Sequence, residues 1–178
     1  MEDEKVNLSK YAMQYGTYMG IYWGVKFIFF PMGLANPLLM FLFVIMTVAV
    51  PFIAYFMTRS FRDRYCGGTI SFTQAWVFNA FMYMFAGLLA AIVHYIYFAY
   101  LDQGYLVNTY ASLIEEVRGM KIEGMEQSLK QMEQVLDVVR NLSPIELAVQ
   151  LLSQNVIYGA ILALPVAFFV KRKPFGKA

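Results

Sequence analysis

The sequence predicts an all-α integral membrane protein, a four-helix bundle with an extracytoplasmic amphipathic helical insert between its third and fourth spans. Three observations predict it. Four apolar runs, at about 11–32, 37–57, 72–100 and 145–170, are each long enough to supply the ~20 helical residues that cross a bilayer. Charge is sparse, at 15% of residues against 60% hydrophobic and a mean hydropathy of +0.52. Lys26 and Glu146 apart, that charge is confined to the tails, a short loop and one long polar segment. Soluble domains carry about 25% charged residues spread over their surface. Finally, when four spans are threaded in order, Arg59, Arg62 and Arg64 fall on the same side as Lys171, Arg172, Lys173 and Lys177. Dense basic clusters mark the cytoplasmic side. The chain therefore reads as a single membrane domain, 1–178, with both termini cytoplasmic and the bilayer as its first partner.

Composition also excludes classes of function. A net charge of +2, with no basic face outside the C-terminal tail, argues against a nucleic-acid partner. One cysteine, Cys66, leaves no intrachain disulfide and no cysteine-rich metal site. The opening MEDEKVNLSK and the apolar run after it lack a small-x-small cleavage site, so no cleaved signal peptide is expected. No span holds paired carboxylates, a nucleophile beside a base or metal-ligand spacing, and Gly67-Gly68 is a turn rather than a phosphate-binding loop. The expectation is a protein that is not an enzyme and needs no metal or cofactor.

The first span carries Ala12, Gly16, Gly20 and Gly24 at four-residue intervals, which places them on one helix face. Such a small-residue groove lets helix backbones approach closely in lipid. It fits another helix of the same chain, a second copy, or a different subunit. Tyr11, Tyr15, Tyr18 and Tyr22 run beside it, and the deeper two need hydroxyl partners. Lys26 lies ~22 Å along the helix from Tyr11, in the far half of the bilayer. A lysine there either snorkels to the surface, pairs structurally, or marks an ion or substrate path.

Gly33 to Pro37 is a tight turn, and the uncharged second span contains Pro51, which is expected to kink it. A basic loop from Thr58 to Thr69 follows, whose arginines set topology or meet anionic lipid or a cytoplasmic partner. Ser71 and Gln74 form a capping box for the third helix, with Trp76 as an interfacial anchor. Ala86, Gly87, Ala90 and Ala91 make this helix a mate for the glycine groove. His94, the single histidine, lies ~27 Å beyond Trp76 among tyrosines; it is either a structural hydrogen-bonding group or part of a relay.

The polar segment from Leu101 to Leu142 predicts two helices, about 106–118 and 123–140. The second repeats Met125, Leu129, Met132, Leu136 and Val139 at three- and four-residue spacing. That stripe packs within the chain or forms a partner surface, where methionine suits adaptable contacts. Ser143-Pro144-Ile145-Glu146 is a helix start with capping serine, proline at the first helical position and glutamate closing the box. Asn155, Gly159, Ala163 and Ala167 form a further four-residue stripe on the helix that follows. Gln150, Gln154 and Asn155 bring amides into or near the membrane, and Pro165 adds a second kink.

The loop motif at Gly67, Gly68, Ile70, Ser71, Phe72 and Gln74 combines with a long third span ending IYFAYLD, a methionine- and glutamate-rich insert and a last span closing on KRKP. This succession resembles domain-of-unknown-function family 4199, small bacterial membrane proteins with four spans, over nearly the whole chain. The resemblance implies a bacterial cytoplasmic (inner) membrane and no assigned activity. It also makes a polyprenyl-phosphate glycosyltransferase a candidate partner.

Two functions of different class follow. The first is a non-enzymatic accessory or scaffold subunit, using the packing faces Ala12, Gly16, Gly20, Gly24, Ala86, Ala90, Gly159 and Ala163 and the partner surface Met125, Leu129, Met132 and Leu136. The alternative is a small dimeric transporter or lipid-handling protein with a polar cavity near Tyr22, Lys26, His94 and Gln154.

Overall fold

Side-chain caps mark where the four longest helices begin. The computed structural model describes residues 7–172 and contains six α-helices: α1 (Leu8–Gly33), α2 (Pro37–Tyr65), α3 (Phe72–Ile96), α4 (Tyr105–Gly119), α5 (Glu126–Arg140) and α6 (Pro144–Val170). Asn7 caps α1 through Oδ1, accepting from Lys10 N–H, and Asn36 caps α2 by accepting from Leu38 N–H. The capping box at α3 is reciprocal: Ser71 N–H donates to Gln74 Oε1, and Gln74 N–H to Ser71 Oγ. The same exchange between Ser143 and Glu146 opens α6. Among the described residues there is no strand, only an isolated antiparallel bridge between Ile70 and Arg172.

Two boundaries differ from the sequence reading. The stretch expected as a loop from Thr58 is helical to Tyr65, so the basic residues lie on the last turns of α2. Arg62 and Arg64 oppose the negative end of the helix dipole there, and Asp63 sits one turn after Arg59 at a 3.6 Å ion-pair distance. The chain turns only at Gly67 and Gly68, whose φ angles of +60° and +81° suit glycine. At the other end of the third span, α3 passes into a π-helical turn at Tyr97–Leu101 before Asp102 accepts from Gly104 and Leu106 N–H and starts α4.

Among the described residues, three helical stretches are long and apolar enough to cross a membrane: Pro37–Tyr65, Phe72–Leu101 and Pro144–Val170. The sequence reading expected four. Helix α1 is 26 residues long, but its glycines, tyrosines, Gln14, Thr17 and Lys26 dilute its apolar content.

The chain divides into two compact units, one of residues 1–91 and 151–178 and one of residues 92–150. In the first, α1 runs antiparallel to α2: the Tyr11 and Tyr65 rings lie 4.0 Å apart at a 32° tilt, Tyr15 Oη donates to Ser60 Oγ, and Gly33 abuts Met40. Its core contains Met19, Phe61, Phe78, Met82 and Tyr83, with Phe61 and Phe78 stacked at 4.1 Å. In the second unit, α4 and α5 pack on each other and are joined by a 2.6 Å bond from Arg118 Nη2 to Glu133 Oε1. That bond, aided by Glu115, holds the Arg118 guanidinium above the ordinary arginine pKa.

Candidate functional site

The small residues of α1 lie against α3. A Cβ at Gly16 would meet Phe85 Cβ at 2.7 Å and the Met82 carbonyl at 2.8 Å; one at Gly20 would meet Leu89 Cβ at 2.9 Å and Ala86 Cα at 3.2 Å. Residue numbers rise together along both helices, so α1 and α3 run parallel, with Ala12, Gly24, Ala86 and Ala90 also buried. Gly159 of α6 serves a different neighbour. A Cβ there would lie 2.7 Å from Tyr83 Cβ, so the glycine seats the Tyr83 ring, and Ala163 is buried one turn on.

Polar groups of this unit are tied between helices. Tyr22 Oη donates to the Met46 carbonyl at 2.7 Å, and Trp76 Nε1 to the Ala160 carbonyl at 3.1 Å. Thr58 Oγ1 bonds Asn79 Oδ1 at 2.9 Å while Asn79 Nδ2 donates to the Ala75 carbonyl, all of it buried. The Thr58 hydroxyl also lies 2.7 Å from the Ala54 carbonyl, and its single proton is shared between the two acceptors. Buried hydrogen bonds of this kind are the polar contacts expected of helices in lipid, at ~0.6 kcal/mol each on average.

The four residues of the expected polar cavity have different surroundings. Tyr22 is satisfied by Met46, and Gln154 is exposed on α6 with no hydrogen bond among the described residues. His94 is buried and belongs to the second unit. Lys26 Nζ lies 5.7 Å from the Trp23 ring centre and 5.5 Å from that of Phe43, and makes no ion pair among the described residues. Trp23, which the sequence reading passed over, lies beside it. Trp23 stacks on Tyr83 at 5.7 Å, and Trp23 Nε1 and Tyr83 Oη are buried without a hydrogen-bond partner among the described residues. The pairing joins α1 to α3 and left no spacing signal in the sequence.

The apolar stripe of α5 is divided. Leu129 is buried and Met125, Leu136 and Val139 are half-buried, whereas Met132 is 54% exposed together with Val135 at 64% and Val138 at 61%. The helix thus has one apolar face covered and a second uncovered. Val135 and Val138 lie outside the stripe read from the sequence, at the i+3 and i+6 positions from Met132.

Arginines read as topology signals also divide. Arg62 is buried: Nη1 donates to the Val170 carbonyl at 2.8 Å, and Nε and Nη2 grip Asp63 at 2.7 and 3.1 Å. Arg59 and Arg64 are exposed, as are Lys171 and Arg172; the expected basic residues Lys173 and Lys177 lie outside the described residues. Among the described residues no cluster of histidine, cysteine, aspartate and glutamate has metal-binding geometry.

A family model described as Protein of unknown function (DUF4199) matches residues 14–172. No curated protein and no solved structure matches the chain.

Proposed function

This chain belongs to the DUF4199 family, and we propose that it is a non-enzymatic, four-span accessory or scaffold subunit of a bacterial cytoplasmic membrane. One observation carries the membrane part: the outward faces of the long helices are apolar. On α1 these are Met13, Tyr18, Ile21, Val25, Ile28 and Met32, and on α2 they include Leu38, Phe41, Val48, Phe52 and Phe56. Soluble proteins rarely leave apolar patches of more than a few hundred Å² uncovered. Helix α1 supports the fourth span by running antiparallel to α2 and exposing Ile21, Val25, Ile28 and Met32 along its second half, despite its lower mean hydropathy. Basic residues at the α2 and α6 ends support cytoplasmic termini, and the acidic segment 101–142 is assigned to the opposite side.

The scaffold role is supported by the uncovered α5 face at Met132, Val135 and Val138. Its partner is a second membrane protein, with a polyprenyl-phosphate glycosyltransferase as the candidate raised by the family resemblance. Extraction in a native-membrane polymer should yield a particle containing a second protein, lost when Met132, Val135 and Val138 are all replaced by serine. Recovery only of a 20.4 kDa monomer from native-level expression would contradict it.

A second reading, lipid or solute handling, rests on Lys26 beside Trp23, whose Nε1, like Oη of the Tyr83 ring it stacks on, lacks a hydrogen-bond partner among the described residues. A polar ligand oxygen reaching those donors would satisfy them. Unchanged growth and lipid composition in the Lys26→Met strain would count against it.

A further inference from the structure

Where α6 ends, the backbone of Arg172 is fixed against the loop before α3. Ile70 N–H donates to the Arg172 carbonyl at 3.1 Å, Arg172 N–H returns a bond to the Ile70 carbonyl at 3.0 Å, and Ile70 itself is buried. Beside this bridge lies an open groove of about 610 Å³ lined by Thr69, Ile70, Ser71, Phe72 and Gln74 on one side and Lys171 and Arg172 on the other.

Its chemistry is mixed in a particular way. Lys171 Nζ is held 4.1 Å from the Phe168 ring centre, and neither Lys171 nor Arg172 makes an ion pair among the described residues. The acid at this end, Asp63, is gripped by two bonds from Arg62, and the charges of Arg59 and Arg172 also act on it, so three arginines share one carboxylate. Two exposed cations therefore border a groove whose other exposed lining combines the polar Ser71 and Gln74 with the Phe72 ring.

We propose that this groove binds the phosphate of an anionic phospholipid, with Lys171 and Arg172 on the phosphate and Phe72 against the glycerol and upper acyl chain. The inference rests on the four-span reading, which places the end of α6 and the start of α3 at headgroup depth in the cytoplasmic leaflet. Juxtamembrane lysines and arginines attract anionic headgroups there. A zwitterionic headgroup would bring its own cation against Lys171 and Arg172. Free phosphate would leave the exposed Phe72 ring uncovered.

The test is native mass spectrometry of the full chain released from mixed micelles containing palmitoyl-oleoyl phosphatidylglycerol or phosphatidylcholine. The protein should retain phosphatidylglycerol in preference to phosphatidylcholine. Replacing both Lys171→Gln and Arg172→Gln should weaken that retention roughly ten-fold or more. Arg64→Gln, at the same end of the unit but outside the groove, should change it by less than about two-fold. Equal loss in the Arg64→Gln variant, no preference between lipids, or displacement by millimolar inorganic phosphate would each overturn the proposal. These failures are distinct from failure of the membrane reading, which would appear as a chain that stays dissolved without detergent.

Discussion

Arg62 Nη1 meets the Val170 carbonyl at 2.8 Å, tying the last turn of α2 to the last residue of α6 across 108 positions of sequence. The carbonyl at that helix end has no intrahelical donor, and a guanidinium there satisfies it while opposing the helix dipole. Asp63 holds the same guanidinium from its other edge. Replacing Arg62→Gln should destabilise the protein by about 2 kcal/mol, the loss of a charge-assisted hydrogen bond. Lysine should not rescue it fully, since one ammonium cannot reproduce the planar fork. Thermal unfolding in detergent measures both, with Arg64→Gln as the exposed control.

Close approach of α1 to α3 gives a prediction with a built-in contrast. Gly16→Ala drives a methyl against the Met82 carbonyl and Phe85 Cβ, where backbone cannot move aside, and should cost about 1–3 kcal/mol. Gly119→Ala, at the end of α4 with nothing within 4 Å of the new methyl, should be neutral or stabilising through helix propensity alone. Unfolding midpoints of the two variants should move in opposite directions or only the first should fall.

Between α2 and α3, Asn79→Ala removes the bonds to Thr58 and to the Ala75 carbonyl. The expected cost is about 0.6–1.7 kcal/mol, the range found for buried interhelical hydrogen bonds in membranes. The double variant Asn79→Ala with Thr58→Val should cost less than the sum of the two single changes, which a double-mutant cycle reads directly.

Lys26 predicts a gain. Its ammonium faces two aromatic rings and no acid, so Lys26→Met removes a poorly compensated charge and fills the same space. The unfolding temperature should rise. A fall, together with altered lipid composition of the cells, would favour lipid handling over the scaffold role.

Much of this was legible in the sequence because it is local. Capping at Ser71 and Ser143, the glycine turn at Gly67-Gly68 and the four-residue stripe of α1 each depend on residues within a turn or two of one another. What was hidden depends on the third dimension. Arg62 and Arg64 are alike in sequence, yet one is buried because its side of α2 faces the end of α6. Trp23 and Tyr83 sit 60 positions apart, and only the parallel packing of α1 on α3 brings them together. The stripe read on α5 is split, with Leu129 buried and Met132 exposed, because periodicity cannot say which edge of a helix its neighbours cover. Helix α1 illustrates the opposite limit: glycine and tyrosine lower its hydropathy because they serve packing, so the residues that seat it among its neighbours also make it look less like a span.

The most direct test of the account is the sidedness of α1. In a Cys66→Ser background, single cysteines at Ser9, before the first span, and at Gln131, on an exposed position of α5, are treated with a membrane-impermeant maleimide in intact spheroplasts. The four-span reading predicts labelling of Gln131→Cys at once and of Ser9→Cys only after the membrane is permeabilised. Labelling of Ser9→Cys in intact spheroplasts would mean that α1 does not cross, and would contradict it.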